Sequence, residues 1–299
     1  MNAAQIGFFA ALFAISVVFV VAWVRAAKRG PESNRPTVAA MSVGAVTSFL
    51  DTLGIGSFAP TTALFKLFRI VRDELIPGTL NVGLAASGIA EAIIYVKSIL
   101  VDPALLAGTI SSAVLGAWLG AGIVSRMPRR AIQVGMGVAL LIAAAVFTGV
   151  ALGALPGGGD AMALSGWKFG LAIVVCFVLG ALMTLGIGLY APCMIMLALM
   201  GMAPIAAYPI MVGACALLQP VAGIKFLKTR RMDFSASLSM TLSGLIGVAV
   251  AAFIVKSLPL GALRILVIGV VTYAALAMLR SAVVEGRMAP AAQGAGSGP

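Results

Sequence analysis

Residues 52–60 read TLGIGSFAP and residues 184–192 read TLGIGLYAP, so nearly the same nine-residue phrase recurs 132 positions later, each time inside strongly apolar sequence. Each copy breaks a helix. The two glycines tolerate the backbone of a helix end. Pro60 and Pro192, four positions after the second glycine of their phrases, suit the first turn of a new helix, where a missing N–H does no harm. Hydrocarbon offers no water to unpaired backbone, so such breaks persist only where protein or a wet cavity satisfies them. Matching breaks in two halves of one chain are the pattern of a transporter's substrate site.

Composition supplies the membrane. With 62% hydrophobic and 10% charged residues in 299 and a mean hydropathy of +1.13, the chain reads as an all-α polytopic membrane protein. The net charge of +11 is carried by Lys and Arg placed singly or in short clusters between apolar runs, which is the positive-inside pattern. No aromatic residues interleave these clusters regularly, so nucleic acid is excluded as a partner. Cys176, Cys193 and Cys215 lie in apolar segments without CxxC spacing, and there is no histidine. No metal site, cofactor or histidine-based chemistry is expected. The first apolar run, Ile6 to Val24, is followed by Arg25, Lys28 and Arg29 and reads as a retained anchor.

The two halves stay in register well beyond the phrase. Val82-Gly83 matches Val212-Gly213, YVKS at 95–98 matches FLKT at 226–229, Asp102 matches Asp233, Ser112 matches Ser243, Gly116 matches Gly247, and Pro128 matches Pro259. The expected organisation is an N-terminal helix and cytoplasmic loop at 1–36, a first repeat at 37–152 and a Gly-rich linker at 153–166. A second repeat at 167–281 and a disordered tail at 282–299 follow. Each repeat reads as one long broken segment (37–68; 167–201) and three ordinary spans (76–97, 103–125, 131–152; 204–226, 234–256, 262–281). A continuous helix of 32 residues would be about 48 Å long, well beyond a hydrocarbon core of about 30 Å. The break allows a re-entrant hairpin instead, with the phrase at its tip.

Loop charges orient these elements. The loops at 25–36, 66–74, 126–130 and 225–233 are basic and are expected to be cytoplasmic, whereas those at 98–102, 153–166 and 202–207 carry no Lys or Arg. The first broken segment then starts and ends inside, and the second starts and ends outside. The pattern predicts an inverted-topology repeat of two opposed hairpins and seven spans in the bacterial inner membrane, N-terminus outside and C-terminus cytoplasmic.

Opposed tips bring two helix N-termini together, and helix N-termini attract anions by about 0.3–1 kcal/mol when exposed and up to about 2 kcal/mol when partly buried. The expected anion site comprises Thr52, Gly54, Gly56, Ser57, Pro60 and Thr61 at the first tip. At the second tip it comprises Thr184, Gly186, Gly188, Tyr190, Pro192 and Cys193. A lone Gly-x-Gly more often serves close helix packing, but a duplicated phrase with its proline intact favours a site. Asp51 and Glu91 are the acids expected inside spans. A charge at that depth is expensive, which makes each a candidate proton carrier. The competing reading is a carboxyl that only pins the hairpin by hydrogen bonds. By repeat register neither has an acidic mate. Cys193 is placed to touch a sulfur-containing substrate, although unpaired buried cysteine usually acts as a small hydrophobe; Cys176 and Cys215 read as packing residues. Gln219 either lines the path or bonds a neighbouring helix, and Tyr208 and Pro209 read as interface anchor and helix opener.

The duplicated Gly-x-Gly-x-x-x-Pro phrase, Leu53-Gly54-Ile55-Gly56 with Pro60 and Leu185-Gly186-Ile187-Gly188 with Pro192, together with Asn81-Val82-Gly83, resembles the TauE/SafE sulfite exporter family. This chain departs from the family's richer glycine run at Ser57 and Leu189. The resemblance implies a carrier of a small sulfur-containing anion such as sulfite, sulfoacetate or another organosulfonate, usually an exporter. Nothing in the residues alone specifies sulfur. The expected partners are that anion, protons and membrane lipid, with a homodimer left open. The favoured reading is a secondary carrier working by alternating access and coupled to the proton gradient, and not an enzyme. The alternatives are an anion channel or uniporter without proton coupling, and an intramembrane sulfur transferase using Cys193.

Overall fold

A computed structural model describes residues 3–28, 35–98, 101–154, 159–186, 188–254 and, beyond these, 269, 272–273, 275–277, 279–280 and 282–283. Among them the architecture is helical, with a single isolated bridge between Ala161 and Met202 and no strand. The helices are α1 (Ala3–Lys28), α2 (Val38–Thr52), α3 (Phe58–Phe68), α4 (Ile76–Gly83), α5 (Ala85–Ser98), α6 (Pro103–Val124) and α7 (Arg129–Ala151). After the linker come α8 (Gly166–Met183), α9 (Tyr190–Leu199), α10 (Pro204–Thr229) and α11 (Phe234–Ile254). Among the described residues seven helical segments are long and apolar enough to cross a membrane. The chain is a multi-pass membrane protein.

The phrases break the helices where expected. α2 gives way to α3 across 53–57, and α8 to α9 across 184–189. Gly54 and Gly186 take φ of +81° and +96°, a region that side chains with a Cβ enter only at a cost. Pro60 and Pro192 fall at the third position of their helices, inside the first turn.

Two elements differ from expectation. The segment at 76–97 is two helices meeting at Leu84, with helical hydrogen bonds from Leu84 to Leu80 and from Gly88 to Leu84 continuing through the junction. Gly88 has no room for a Cβ beside the Gln219 side chain of α10. The first arm of the second broken segment, α8, has 18 residues, against 15 in α2, and is by itself long enough to cross a membrane. The expected span at 262–281, the loop before it and the tail at 282–299 lie largely outside the described residues.

Packing crosses between the halves. α2 lies along α11, and α8 lies along α6, more extensively than any other helix pairs. Small residues allow the approach: a Cβ on Gly116 of α6 would collide with the Phe177 carbonyl of α8, and one on Gly247 of α11 would collide with the Ala45 carbonyl of α2. Between apolar helices in lipid, such backbone proximity is the main source of adhesion. α1 is peripheral, with 17% of its span buried.

Polar contacts tie each end of the bundle. At one end Arg129 lies 3.7 Å from Asp73, Lys66 bonds Asp73 at 2.7 Å, and Gln133 Nε2 donates to Asp73 Oδ2 at 2.9 Å. Ser235 donates to the Arg35 carbonyl there, and Asp233 lines one cavity with Lys66, Arg69 and Arg72. At the other end the linker pairs with the segment after α9: Gly159 N–H donates to Met202 O at 3.0 Å and Ala203 N–H to Ala161 O at 2.9 Å. Lys168, near the start of α8, donates to the Met200 carbonyl at 2.9 Å.

Candidate functional site

The broken segments meet at their tips. A small enclosed cavity is lined by Asp51, Gly56, Ser57 and Phe58 from the first, by Met183, Gly188, Leu189 and Tyr190 from the second, and by Cys215 and Gln219 of α10. It leaves about 10 Å³ to the centre of a water molecule, room for about one water. Among the described residues no Lys or Arg lines it. The conformation is closed around the site.

Asp51 ends α2 facing the start of α3. Its Oδ2 accepts the Ser57 hydroxyl at 2.8 Å, and the Ser57 backbone amide also addresses this carboxyl. Its other oxygen, Oδ1, is buried with no hydrogen-bond partner. The chain's own acid therefore sits at the helix N-terminus that the sequence offers to an anion.

Glu91 of α5 is fully buried and reaches both tips. Its Oε2 accepts the Tyr190 hydroxyl at 2.9 Å, and its Oε1 lies 2.9 Å from Thr52 Oγ1. Thr52 Oγ1 is also 2.9 Å from the Ser48 carbonyl. One hydroxyl proton cannot serve both acceptors. If Thr52 donates to Ser48, the bond to Glu91 requires a proton on Glu91; if it donates to Glu91, the carboxyl accepts two hydroxyls and is satisfied as an anion. The same heavy-atom positions suit both states. Tyr95 completes the corner by donating to the Thr52 carbonyl at 3.2 Å.

The remaining predicted residues lie near the tips, buried or partly buried, without lining the cavity. Thr61 donates to Thr47 Oγ1 at 2.9 Å, and Thr184 donates to the Ala181 carbonyl at 2.6 Å. Gly54 lies under the Tyr208 hydroxyl, and Gly186 faces Met136 and Thr62. Pro60 is buried and Pro192 partly so; both serve their helix starts. Cys193 is fully buried, one turn along α9, where its thiol meets Cys176. Cys215, read from sequence as packing, lines the cavity instead. Gln219 does line it, and its Oε1 has no hydrogen-bond partner. Tyr208 is the residue that sequence reasoning places elsewhere. Its ring lies 5.7 Å from that of Tyr95, and its hydroxyl roofs the first tip; a tyrosine so near a helix start reads as an interface anchor unless the hairpin's position is known.

The described residues hold no cluster of His, Cys, Asp and Glu fit for a metal ion. A family model, that of the sulfite exporter TauE/SafE, matches residues 2–147, which include the first tip, Asp51 and Glu91. Over that stretch, just under half of its 299 residues, the chain is similar to the TauE/SafE family. No curated protein and no solved structure matches it. TauE/SafE proteins form a family of membrane transporters, not of enzymes. The groups gathered at the tips of this chain are backbone, hydroxyls and two carboxyls.

Proposed function

We propose that this protein is a secondary carrier that binds a small sulfur-containing anion, sulfite or an organosulfonate, between its two hairpin tips, and exposes it alternately to either side as an exporter. One observation carries the reading: a closed cavity deep in the bundle is built jointly from both copies of the duplicated phrase. The α3 and α9 N-termini border it, and a dehydrated oxyanion needs such amides and hydroxyls in place of water. Substrate identity rests on the family's description.

Several contacts favour two opposed re-entrant hairpins in repeats at 37–152 and 167–281. The Ala161–Met202 pairing and the Lys168–Met200 bond join the two ends of the second hairpin. The Ser235–Arg35 bond and the cavity shared by Asp233 with Lys66 and Arg69 bring the two ends of the first to the opposite, basic pole. Arg129 joins that pole through Asp73. On the positive-inside rule this pole is cytoplasmic. Exchange of packing partners, α2 on α11 and α8 on α6, is what two inverted copies related by a two-fold axis produce.

The test is flux into proteoliposomes of purified protein, offered sulfite, thiosulfate, sulfoacetate, taurine and acetate with and without a pH gradient. Saturable transport of the sulfur anions above acetate supports the reading. Its absence, or conduction that never saturates and follows voltage alone as a channel's would, sinks it.

A further inference from the structure

We infer that the anion and a proton occupy the inter-tip cavity together and cross the membrane in the same direction, because Asp51 holds the anion's place until it is protonated. This rests on the carrier reading above and specifies its coupling.

The argument starts from what surrounds the cavity. Its lining contains an acid and no cation among the described residues, and a second buried acid, Glu91, stands behind Thr52 and Tyr190. The titratable groups facing Asp51 are Glu91 on α5, Tyr190 on α9 and Cys215 on α10, with Tyr95 and Tyr208 beside the neighbouring Thr52 and Gly54; α11, packed along α2, carries none. Nothing there neutralises a carboxylate and an anion held side by side in a space without bulk water. Like charges so placed exclude one another.

Position sharpens the exclusion. The amide and hydroxyl of Ser57, which begin α3, are the donors an incoming oxyanion needs, and Asp51 already engages them. A protonated Asp51 is a weaker acceptor and gains an O–H of its own, which its unpartnered Oδ1 can direct into the cavity. Protonation thus frees Ser57 and adds a donor at the same site. Proton and anion each favour the other's binding, and a linkage of that sign is reciprocal. Were they exchanged in opposite directions, the anion would have to enter beside the charged carboxylate. Glu91 has hydrogen-bonded arrangements in both protonation states and can hold a second proton without moving.

The consequence concerns driving force. An acid exterior opposes export of such a pair. A divalent anion leaving with one proton still carries one negative charge outward, so the membrane potential drives its export.

The experiment uses full-length protein in liposomes containing a pH dye, with the potential clamped and protein-free vesicles subtracted. Labelled sulfite or sulfoacetate is added outside. The expected result is luminal acidification in step with uptake, and initial uptake several-fold faster from an acid exterior. In Asp51→Asn the apparent affinity should lose its pH dependence. Luminal alkalinisation during uptake, or uptake slowed by external acid, overturns the inference, as does uptake that needs Na⁺ and ignores pH. Absence of any anion flux overturns the carrier reading itself and so is distinguishable. If Asp51→Asn does not fold, the proton signal of the unaltered protein decides.

Discussion

Tyr190 donates its hydroxyl to Glu91 Oε2 at 2.9 Å, and through that carboxyl the second tip is joined to Thr52 at the first. Closure of the site therefore depends on one side chain from α5. A hydrogen bond of this kind contributes about 0.5–1.5 kcal/mol net. Tyr190→Phe should open the tips more often, raising the alkylation rate of Cys215 by about five-fold in a protein carrying Cys176→Ser and Cys193→Ser. An unaltered labelling rate would show that the tips are held by other contacts.

Gly54 combines a φ of +81° with the Tyr208 hydroxyl directly over its α-carbon. Gly54→Ala should lower thermal stability in detergent by about 1–3 kcal/mol, through strain at that φ and the collision together. Tyr208→Phe relieves the closest part of the collision and leaves the backbone angle as it is. The double variant should recover part of the loss, and full recovery would show that the backbone angle is not a constraint.

Asp73 collects Lys66 at 2.7 Å, Gln133 at 2.9 Å and Arg129 at 3.7 Å at the basic pole. Removing one partner of a buried pair leaves the other charge uncompensated. Since Lys66 retains some solvent contact, Asp73→Asn should cost about 1–3 kcal/mol, less than a fully buried pair would. Thermal unfolding in detergent measures it, and salt should reduce the difference little, because the carboxylate is screened by protein and not by ions.

The two thiols make opposite predictions. Cys193 turns to Cys176 inside the second hairpin, so Cys193→Ser should keep most transport activity. Cys215 lines the cavity, so Cys215→Leu should lower flux by filling space about one water wide. The reverse order would reinstate Cys193 as the substrate's neighbour and revive a transferase reading.

Much of this arrangement is legible in the sequence where it depends on local chemistry. The breaks at 53–57 and 184–189 follow from glycine and proline placement, and the remaining long helices follow from apolar runs between basic loops. Asp51 is legible as a tip residue because it abuts the phrase, and it lines the cavity. What depends on one half meeting the other is not. Register pairs Glu91 with Val221 or Ala222, yet folding joins its carboxyl to Thr52 at the first tip and to Tyr190 at the second. Cys193 is read as the tip thiol because it follows Pro192, but the turn of α9 carries it away from the gap. Cys215 and Tyr208 lie in an unbroken helix whose sequence carries no mark of the tips it touches. Leu84 interrupts its helix without a proline at the junction.

The crossed packing of α2 on α11 and of α8 on α6 has a mechanical consequence. The first arm of each broken segment, α2 or α8, bears against a helix of the other half along its length. Gly116 and Gly247 bring those helices to backbone contact, so in the carrier proposed above a rotation of one half could not leave the opposite arm behind. The two tips would then be cranked by a common shaft: whatever displaces one must shift the bearing of the other, and a leak with both open would require separating the most extensively packed pairs among the described helices.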